Sequence, residues 1–311
     1  MRDAATELLG PHCGPVTILA LFGPTGVGKT ALALAVADRL RERGERPVAV
    51  SADALQVYRG LEILSGAADA RQRARLEHRM IAIVDVRERF SVAQYAQRAH
   101  SEIDEILDGG GIPIVVGGTG LYLRAALAEL DLRPPPPPGV REALMAEVQT
   151  RGPEALHAEL AVRAPGVAAT IDPRDRHRVI RALELEAQGA LDAGPPAESR
   201  LWTADTRRPT RLIALTMARE QLKARIDARV DAMVAAGAAD EVRAADAAGA
   251  SVTARKALGF EELLDNDVEA MKVRTRQYAR RQLTWLRKLA GVEHVDLTAR
   301  APEDVARELL G

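Results

Sequence analysis

The sequence predicts an α/β protein in which a parallel sheet carries an inserted, all-helical segment. About the first 130 residues alternate short apolar runs with helical patterns, which is typical of strand-helix-strand units on a parallel sheet. A glycine-rich turn, Gly23–Thr30, separates the first apolar run from the first helical pattern. Residues 139–203 follow the five prolines Pro134–Pro138 and show helical spacing with no convincing strand.

The front of the chain supplies three strands and two helices. Apolar runs predict the strands Thr17–Phe22, Pro47–Ser51 and Ile112–Val116. Apolar residues at helical spacing predict the helices Thr30–Arg43 and Val92–Asp108. Ser91 stands directly before the second helix, where its hydroxyl can accept a hydrogen bond from a backbone N–H. We therefore expect Ser91 to be the N-cap.

The proline run divides the chain into a core and an insertion. Consecutive prolines form a semi-rigid extended spacer and cannot continue a helix. We expect a core of residues 1–133 and 204–311, and a helical insertion over 139–203 that ends in the polar stretch Gly194–Arg200. Beyond the insertion, Arg211–Thr216 predicts a returning strand, and residues 218–246 and 261–290 predict helices.

Composition excludes several classes of protein. With 47% apolar and 28% charged residues in a chain of 311, we expect a soluble globular protein. The single cysteine, Cys13, excludes an internal disulfide framework and a multi-cysteine zinc site. No apolar stretch approaches the ~20 residues of a membrane span and no signal-peptide pattern begins the chain, so we expect a cytoplasmic protein without a membrane partner. We also expect a monomer.

The segment Gly23–Thr30 reads GPTGVGKT and matches the phosphate-loop pattern G-x-x-x-x-G-K-[ST]. A glycine-rich turn that opens a helix directs backbone N–H groups at an anion, and the helix N-terminus adds partial positive charge. Lys29 adds a full charge, and the Thr30 hydroxyl is the expected ligand of Mg²⁺. The sequence thus predicts a core like that of P-loop NTPases, with a diphosphate-binding or triphosphate-binding set of Gly23, Pro24, Thr25, Gly26, Val27, Gly28, Lys29 and Thr30.

Two further polar segments follow predicted strands. Ser51–Tyr58 reads SADALQVY and places Asp53 just after the second strand, while Val115–Tyr122 reads VVGGTGLY and places Thr119 after the third. In open α/β sheets the ligand crevice lies beyond the carboxyl ends of the strands. We therefore expect Asp53 and Thr119 to face the same crevice as the phosphate loop.

A small-molecule kinase using ATP is one interpretation of these motifs. Such enzymes hold Mg²⁺ with an aspartate that closes an apolar strand, yet Ile112–Val116 ends in glycines. The run Ile81–Asp85 offers Asp85 instead. The kinase interpretation therefore stays open at this point.

The segment Lys272–Lys288 carries seven Lys or Arg residues and no acid. Tyr278, Leu283, Leu286 and Leu289 are spaced to form one apolar stripe, which leaves the other faces of the helix cationic. This pattern is typical either of a solvated basic helix or of a track for nucleic-acid phosphates, with Arg281, Gln282 and Trp285 available to unstacked bases. A second group of cations lies in the insertion and consists of Arg174, Arg176, Arg178 and Arg181.

Six motifs together resemble the bacterial tRNA dimethylallyltransferase family, in its order and over residues 18–290. They are GPTGVGKT, SADALQVY, FSVAQY (Phe90–Tyr95), VVGGTGLY, HRVIRALE (His177–Glu184) and ARRQLTWLR (Ala279–Arg287). The resemblance implies transfer of a five-carbon isoprenoid from dimethylallyl diphosphate to N6 of the adenine immediately 3′ of the anticodon, with release of diphosphate and Mg²⁺ as cofactor.

The resemblance also implies roles for individual residues. Asp53 would be the general base, and Thr119 and Arg225 would complete the catalytic site around the diphosphate. The implied contacts with the tRNA anticodon stem-loop are Asp53, Ala54, Leu55, Gln56, Thr119, Arg141, His177, Arg178, Val179, Ile180, Arg181, Lys256, Arg280, Arg281, Gln282, Trp285 and Arg287.

The chain departs from the family pattern at four places. Ala54 and Leu55 stand where Ser and Met are usual, Ala67 stands near the place of a common lysine, and His78-Arg79 replaces a pair of histidines. These changes bear on substrate affinity more than on the reaction.

Two other interpretations remain beside the kinase. An adenylate isopentenyltransferase, which makes cytokinin precursors, resembles the front half, but a mononucleotide needs neither the insertion nor the basic helix. A noncatalytic tRNA-binding protein would not need Lys29, Thr30 and Asp53.

Overall fold

The computed structural model describes residues 17–132, 136–137, 139–191 and 200–311. Cys13, three of the five prolines of Pro134–Pro138 and residues 194–199 lie outside the described residues. The chain forms two compact units, one of Met1–Asp131 with Arg200–Gly311 and the other of Leu132–Ser199.

The first unit is a mixed α/β structure around a six-stranded sheet. The strand order is β4-β2-β6-β1-β7-β8, and every described strand pair is parallel. Its strands are β1 (Ile18–Phe22), β2 (Pro47–Ser51), β4 (His78–Arg79), β6 (Ile112–Gly117), β7 (Thr210–Thr216) and β8 (Val292–Asp296). A separate two-stranded sheet pairs β3 (Tyr58–Arg59) with β5 (Val84–Asp85).

The central strands are apolar because helices cover both faces of the sheet. All five residues of β1 and all five of β2 are buried. In the register, Phe22 pairs with Gly117 and Ser51 pairs with Val116. The carboxyl ends of β1, β2 and β6 therefore lie side by side at one edge of the sheet.

The predicted strands and helices at the front of the chain are confirmed, with boundaries that shift by one residue or less. The helix Val92–Asp108 has the predicted ends, and Ser91 is its N-cap: the hydroxyl accepts a hydrogen bond from the N–H of Gln94. The helices of this unit are α1 (Lys29–Glu42), α2 (Glu62–Ser65), α3 (Ala70–Arg75), α4 (Val92–Asp108), α5 (Gly120–Leu127), α10 (Arg219–Ala235), α11 (Ala238–Ala247), α12 (Phe260–Leu264), α13 (Val268–Leu286) and α14 (Pro302–Leu310).

Each of the two long helical stretches predicted near the C-terminus is broken once. Gly237, with φ of 97°, separates α10 from α11, and Asn266, with φ of 57°, lies between α12 and α13. Left-handed residues of this kind end helices. The strand β8 and the helix α14 were not predicted, since β8 lies at the edge of the sheet and only two of its five residues are apolar.

The buried stripe on α13 differs from the predicted one. The structure buries Met271, Thr275, Ala279, Gln282 and Leu286, so of the predicted stripe on this helix only Leu286 is buried. Leu289 is also buried but lies beyond the end of the helix. The prediction was wrong here because it counted only apolar residues, whereas this face includes a buried glutamine with hydrogen-bond partners.

The second unit consists of helices in its described part, with no strand there. These are α6 (Val140–Arg151), α7 (Pro153–Arg163), α8 (Pro165–Ala168) and α9 (Arg176–Ala187). They enclose a core of their own, formed by Val148, Leu156, Leu160, Ala168, Val179, Ile180, Ala182 and Leu183. Glu184 is fully buried beside this core and accepts hydrogen bonds from Arg141 at 2.5 and 2.8 Å.

Within the described part of the chain, none of the helices combines the length and the apolar character that a membrane crossing requires.

Candidate active site

The phosphate loop joins β1 to α1 and turns through two left-handed glycines. Gly26 has φ of 81° and Gly28 has φ of 110°, backbone conformations that residues other than glycine rarely adopt. Among the described residues, the N–H groups of Gly26, Gly28, Lys29 and Thr30 have no hydrogen-bond acceptor. The loop thus offers four backbone donors at the N-terminus of a long helix, a geometry that suits an anion.

Lys29 lies across this loop. Its ammonium donates hydrogen bonds to the carbonyl oxygens of Gly23 at 2.8 Å and Pro24 at 3.0 Å. Burial, and secondarily the nearby Arg229, lowers the pKa of Lys29 to about 7 against the opposing effect of the Asp53 carboxylate. A bound phosphate would place a negative charge beside Lys29 and so favour its protonated, charged form.

Asp53 follows β2 and faces Thr119, which follows β6. One carboxylate oxygen of Asp53 accepts a hydrogen bond from the N–H of Leu55 at 2.9 Å. The other lies 3.4 Å from the Thr119 hydroxyl, a long hydrogen bond. The Thr119 hydroxyl is also 3.1 Å from the Tyr278 hydroxyl on α13. The structure therefore brings together three segments that the sequence singled out: SADALQVY, VVGGTGLY and the basic segment Lys272–Lys288.

Three of the four tyrosines in the chain lie near enough to Asp53 for its charge to act on them. Burial, and secondarily the charge of Asp53, raises the pKa of Tyr278 to about 12. Burial raises the pKa of Tyr95 and Tyr122 as well, and Asp53 contributes to both shifts. The rings of Tyr95 and Tyr122 are 4.5 Å apart. Sequence analysis missed these residues as site components, although FSVAQY and VVGGTGLY each end in a tyrosine.

Two arginines of α10 approach the loop. A Cβ atom placed on Gly28 would lie 3.4 Å from the guanidinium of Arg225, so Arg225 stands beside the phosphate loop as expected. Arg229, one helical turn later, donates a hydrogen bond to the carbonyl of Gly66 at 3.1 Å. Burial lowers the pKa of Arg229, and Asp53 opposes that shift. Sequence analysis missed Arg229; its spacing of four residues from Arg225 was the signal.

On α13 and its C-terminal extension, the cations that form none of the described ion pairs lie at one end. Lys272 pairs with Asp231 and Glu269, Arg274 pairs with Glu262, and Arg276 pairs with Asp227. Arg280, Arg281, Arg287 and Lys288 are exposed and form none of the described ion pairs. The Arg281 guanidinium lies 5.5 Å from the centre of the Tyr278 ring.

Several residues expected to touch tRNA have other roles in the structure. Val179 and Ile180 are buried in the core of the second unit and cannot contact a ligand while that unit is folded. Gln282 is buried with both amide atoms hydrogen-bonded to protein backbone. Trp285 packs against Gly120 on one side and against Trp202, with ring centres 4.5 Å apart, on another. Val179 and Ile180 thus pack inside the protein and Gln282 bonds to its backbone, so direct side-chain contact of these three residues with tRNA is not supported by their burial.

The remaining expected contacts are reachable. His177, Arg178 and Lys256 are exposed. Arg141 and Arg181 are partly exposed, but both pair with the buried Glu184, at 2.5 and 3.0 Å. Ala54, Leu55 and Gln56 are partly buried next to Asp53 along the chain, and the Gln56 amide oxygen accepts a hydrogen bond from Ser51 at 2.7 Å.

The donor set at the loop fits Mg²⁺ that is held mainly by a phosphate ligand. The described residues contain no group of three or more His, Cys, Asp or Glu side chains that could enclose a metal ion. The Thr30 hydroxyl has no hydrogen-bond partner among the described residues and stands at the start of α1. Mg²⁺ commonly takes one or two protein ligands and completes its shell with phosphate oxygens and water.

Asp85, the aspartate that the kinase interpretation needs, is not part of the six-stranded sheet. Asp85 belongs to the separate two-stranded sheet, and its carboxylate accepts hydrogen bonds from the Arg87 guanidinium at 2.8 and 3.1 Å.

Arg79, which replaces a family histidine, is held by Glu77, Glu102 and Glu105. These carboxylates raise the pKa of Arg79 against the opposing effect of burial.

Comparison with known proteins gives one family. The model of the IPP transferase family matches residues 56–289. A tRNA dimethylallyltransferase of Kineococcus radiotolerans is 38% identical over 308 residues, which cover 95% of this chain and 96% of that protein. A tRNA dimethylallyltransferase of Anaeromyxobacter sp. strain K is 41% identical over 289 residues, which cover 88% and 91%. The crystal structure of a tRNA isopentenylpyrophosphate transferase of Bacillus halodurans is 33% identical, covers 94% of this chain and 93% of that chain, and has a TM-score of 0.66.

Proposed function

This chain belongs to the IPP transferase family and is a transferase that prenylates tRNA, and from that premise we propose its reaction in detail. It transfers the dimethylallyl group of dimethylallyl diphosphate to N6 of the adenine immediately 3′ of the anticodon and releases diphosphate. The observation that carries the proposal is the pairing of Asp53 with Thr119 at the edge of the sheet that also carries the phosphate loop.

The first unit is proposed as a P-loop-type core that holds the diphosphate leaving group. Gly23–Thr30 cradles it through the N–H groups of Gly26, Gly28, Lys29 and Thr30, with Arg225 beside Gly28. Lys29 leaves the loop carbonyls and pairs with phosphate oxygen. Thr30 would hold Mg²⁺, which supplies a Lewis acid that stabilises the charge of the departing diphosphate.

Asp53 is proposed as the general base. As the N6 nitrogen forms its bond to the allylic carbon, the carbon–oxygen bond breaks and its electron pair leaves with the diphosphate. The N6 proton passes to the Asp53 carboxylate, and Thr119 fixes the orientation of that carboxylate. Since an aromatic amine is a poor nucleophile, exact placement of an unstacked adenine is needed as well.

The tRNA anticodon stem-loop is proposed to contact both units. In the first unit the contacts are the exposed Arg280, Arg281, Arg287 and Lys256, together with the residues around Asp53. The helical unit, proposed as the inserted domain of residues 139–203, contributes His177, Arg178, Arg141 and Arg181. We propose a monomeric, cytoplasmic enzyme. A mononucleotide substrate would leave these cations without a role.

The test is digestion of the product to nucleosides. Unmodified tRNA is incubated with the protein, Mg²⁺ and dimethylallyl diphosphate, and its nucleosides are identified by mass spectrometry. We expect N6-dimethylallyladenosine from the position 3′ of the anticodon and no consumption of ATP when ATP is added. Phosphorylated product, or dimethylallyl at any other base, would contradict the proposal.

A further inference from the structure

A buried glutamine closes the first half of the phosphate loop. Gln282 on α13 is only 4% exposed. Its amide oxygen accepts a hydrogen bond from the N–H of Thr25 at 2.8 Å, and its amide nitrogen donates one to the carbonyl of Gly118 at 2.7 Å. The Thr25 N–H, which belongs to the loop pattern, is therefore already occupied by the protein.

The same amide lies close to the loop lysine. A Cβ atom placed on Gly118 would lie 2.3 Å from the Gln282 amide nitrogen and 3.3 Å from the Lys29 ammonium. In loops of this pattern that bind triphosphates, the backbone and the lysine cradle the β- and γ-phosphates. Gln282 thus occupies one loop donor and lies on the side of the loop where the Lys29 ammonium is found.

The donors that remain lie on the helical half of the loop. They are the N–H groups of Gly26, Gly28, Lys29 and Thr30, which have no acceptor among the described residues. The loop is therefore divided into an open half and a half that is closed by α13.

Neighbouring contacts of α13 hold this glutamine in place. Ala279 and Leu286 are buried on the same face of the helix. Trp285 packs so closely on Gly120 that a Cβ atom there would lie 2.1 Å from its ring. Gln282 therefore has little freedom to withdraw, because α13 is anchored on both sides of it.

We propose that Gln282 is a specificity-determining residue that limits the phosphate loop to diphosphates and excludes triphosphates, including nucleoside triphosphates. The inference rests on the proposed function, in which the donor is a diphosphate ester. A third phosphate would have to displace a buried amide and leave its hydrogen-bonding groups unpaired, and such losses are what give polar sites their selectivity.

The test compares pyrophosphate with inorganic tripolyphosphate. Binding of each is measured by calorimetry in saturating Mg²⁺ without tRNA, and each is also tested as a competitor of dimethylallyl diphosphate. We expect wild-type protein to bind tripolyphosphate at least about tenfold more weakly than pyrophosphate. In Gln282→Ser this ratio falls to about threefold or less, because tripolyphosphate affinity rises. Gln277→Ser, a change of the same kind at an exposed position of α13, leaves the ratio unchanged.

Two results would overturn the proposal. One is equal affinity of the wild-type protein for the two anions, which requires no variant at all. The other is an equal loss of both affinities in Gln282→Ser, as general loosening of the loop would cause. If that variant does not fold, Gln282→Asn, whose shorter amide cannot span Thr25 and Gly118, takes its place. The proposed function fails on a different result, the absence of dimethylallyl transfer by wild-type protein, so the two failures can be told apart.

Discussion

At the scale of single residues, the site consists of one carboxylate within a set of polar and cationic groups. Asp53 has the Thr119 hydroxyl on one side, and its charge acts on Lys29, Arg229 and Tyr278. This arrangement suits a base that must accept one proton while a diphosphate departs from a neighbouring cradle.

Asp53→Asn isolates the proton transfer from the geometry. The amide oxygen of asparagine can still accept the hydrogen bond from the Leu55 N–H, so the turn is kept. We expect single-turnover transfer to fall about 10²- to 10⁴-fold while tRNA affinity changes little, because a base acts on rate and not on phosphate contacts. Asp108→Asn, at the exposed end of α4, is the matched control. Retained transfer with a collapse of tRNA affinity would contradict the role of Asp53.

We expect Lys29 to make diphosphate binding depend on pH. Its pKa of about 7 in the free protein is lowered chiefly by burial, so above pH 7 the free ammonium loses its proton. A bound diphosphate favours the charged form and raises this pKa again, so binding takes up a proton and weakens as pH rises from 7 to 9, by up to about tenfold per unit.

Calorimetry in buffers of different ionisation enthalpy measures this proton uptake. Lys29→Arg keeps its charge over the whole range, and the titration of diphosphate itself is common to both proteins. We expect the wild-type protein to take up more protons than the variant at pH 8. Identical uptake by the two proteins would show that Lys29 is already charged when the ligand is absent.

At the scale of elements, α13 serves two purposes on two faces. The buried Gln282 and the half-buried Tyr278 reach the loops, while Arg280 and Arg281 are exposed towards its C-terminal end. Sequence patterns revealed the basic character of this helix but not its ion pairs with Asp231 and Asp227, since these partners of Lys272 and Arg276 lie on α10, distant along the chain. For the same reason a buried glutamine could not be told from an exposed one.

The salt dependence of tRNA binding distinguishes free from paired arginines. We expect Arg281→Ala to reduce the slope of log affinity against log salt by about 0.7 to 1, because one phosphate contact and its counterion release are lost. Arg276→Ala is the control on the same helix, and its pairing with Asp227 at 2.5 Å predicts a smaller change. Filter binding between 50 and 300 mM salt, about the usual range for such assays, measures both slopes. Equal changes of slope in the two variants would mean that pairing with Asp227 does not prevent Arg276 from contacting a tRNA phosphate.

At the scale of the whole molecule, the chain contains two units with separate hydrophobic cores. The common edge at which Asp53, Thr119 and the loop meet follows from a general rule of parallel sheets, so it was predictable. The strand order, the edge strand β8 and the helix α14 were not predicted, because their positions depend on contacts between segments far apart in sequence.

Removal of the helical unit tests how the tasks are divided. When residues 133–199 are replaced by a short glycine-serine linker, we expect pyrophosphate affinity to stay within about threefold of wild type, since every loop contact lies in the first unit. We expect tRNA affinity to fall by at least about tenfold, because the cations of α9 are lost. Calorimetry and filter binding give the two values. Loss of pyrophosphate binding in a folded variant would assign part of the diphosphate site to the deleted unit.

The most direct test of the central claim is a competition between two acceptors in one reaction. Labelled dimethylallyl diphosphate is incubated with the protein, Mg²⁺ and equal concentrations of unmodified tRNA and AMP, and the label in each acceptor is counted. The arrangement of Asp53, Thr119 and the exposed arginines of α13 predicts label in tRNA alone. Label in AMP, or label in neither acceptor, would contradict it.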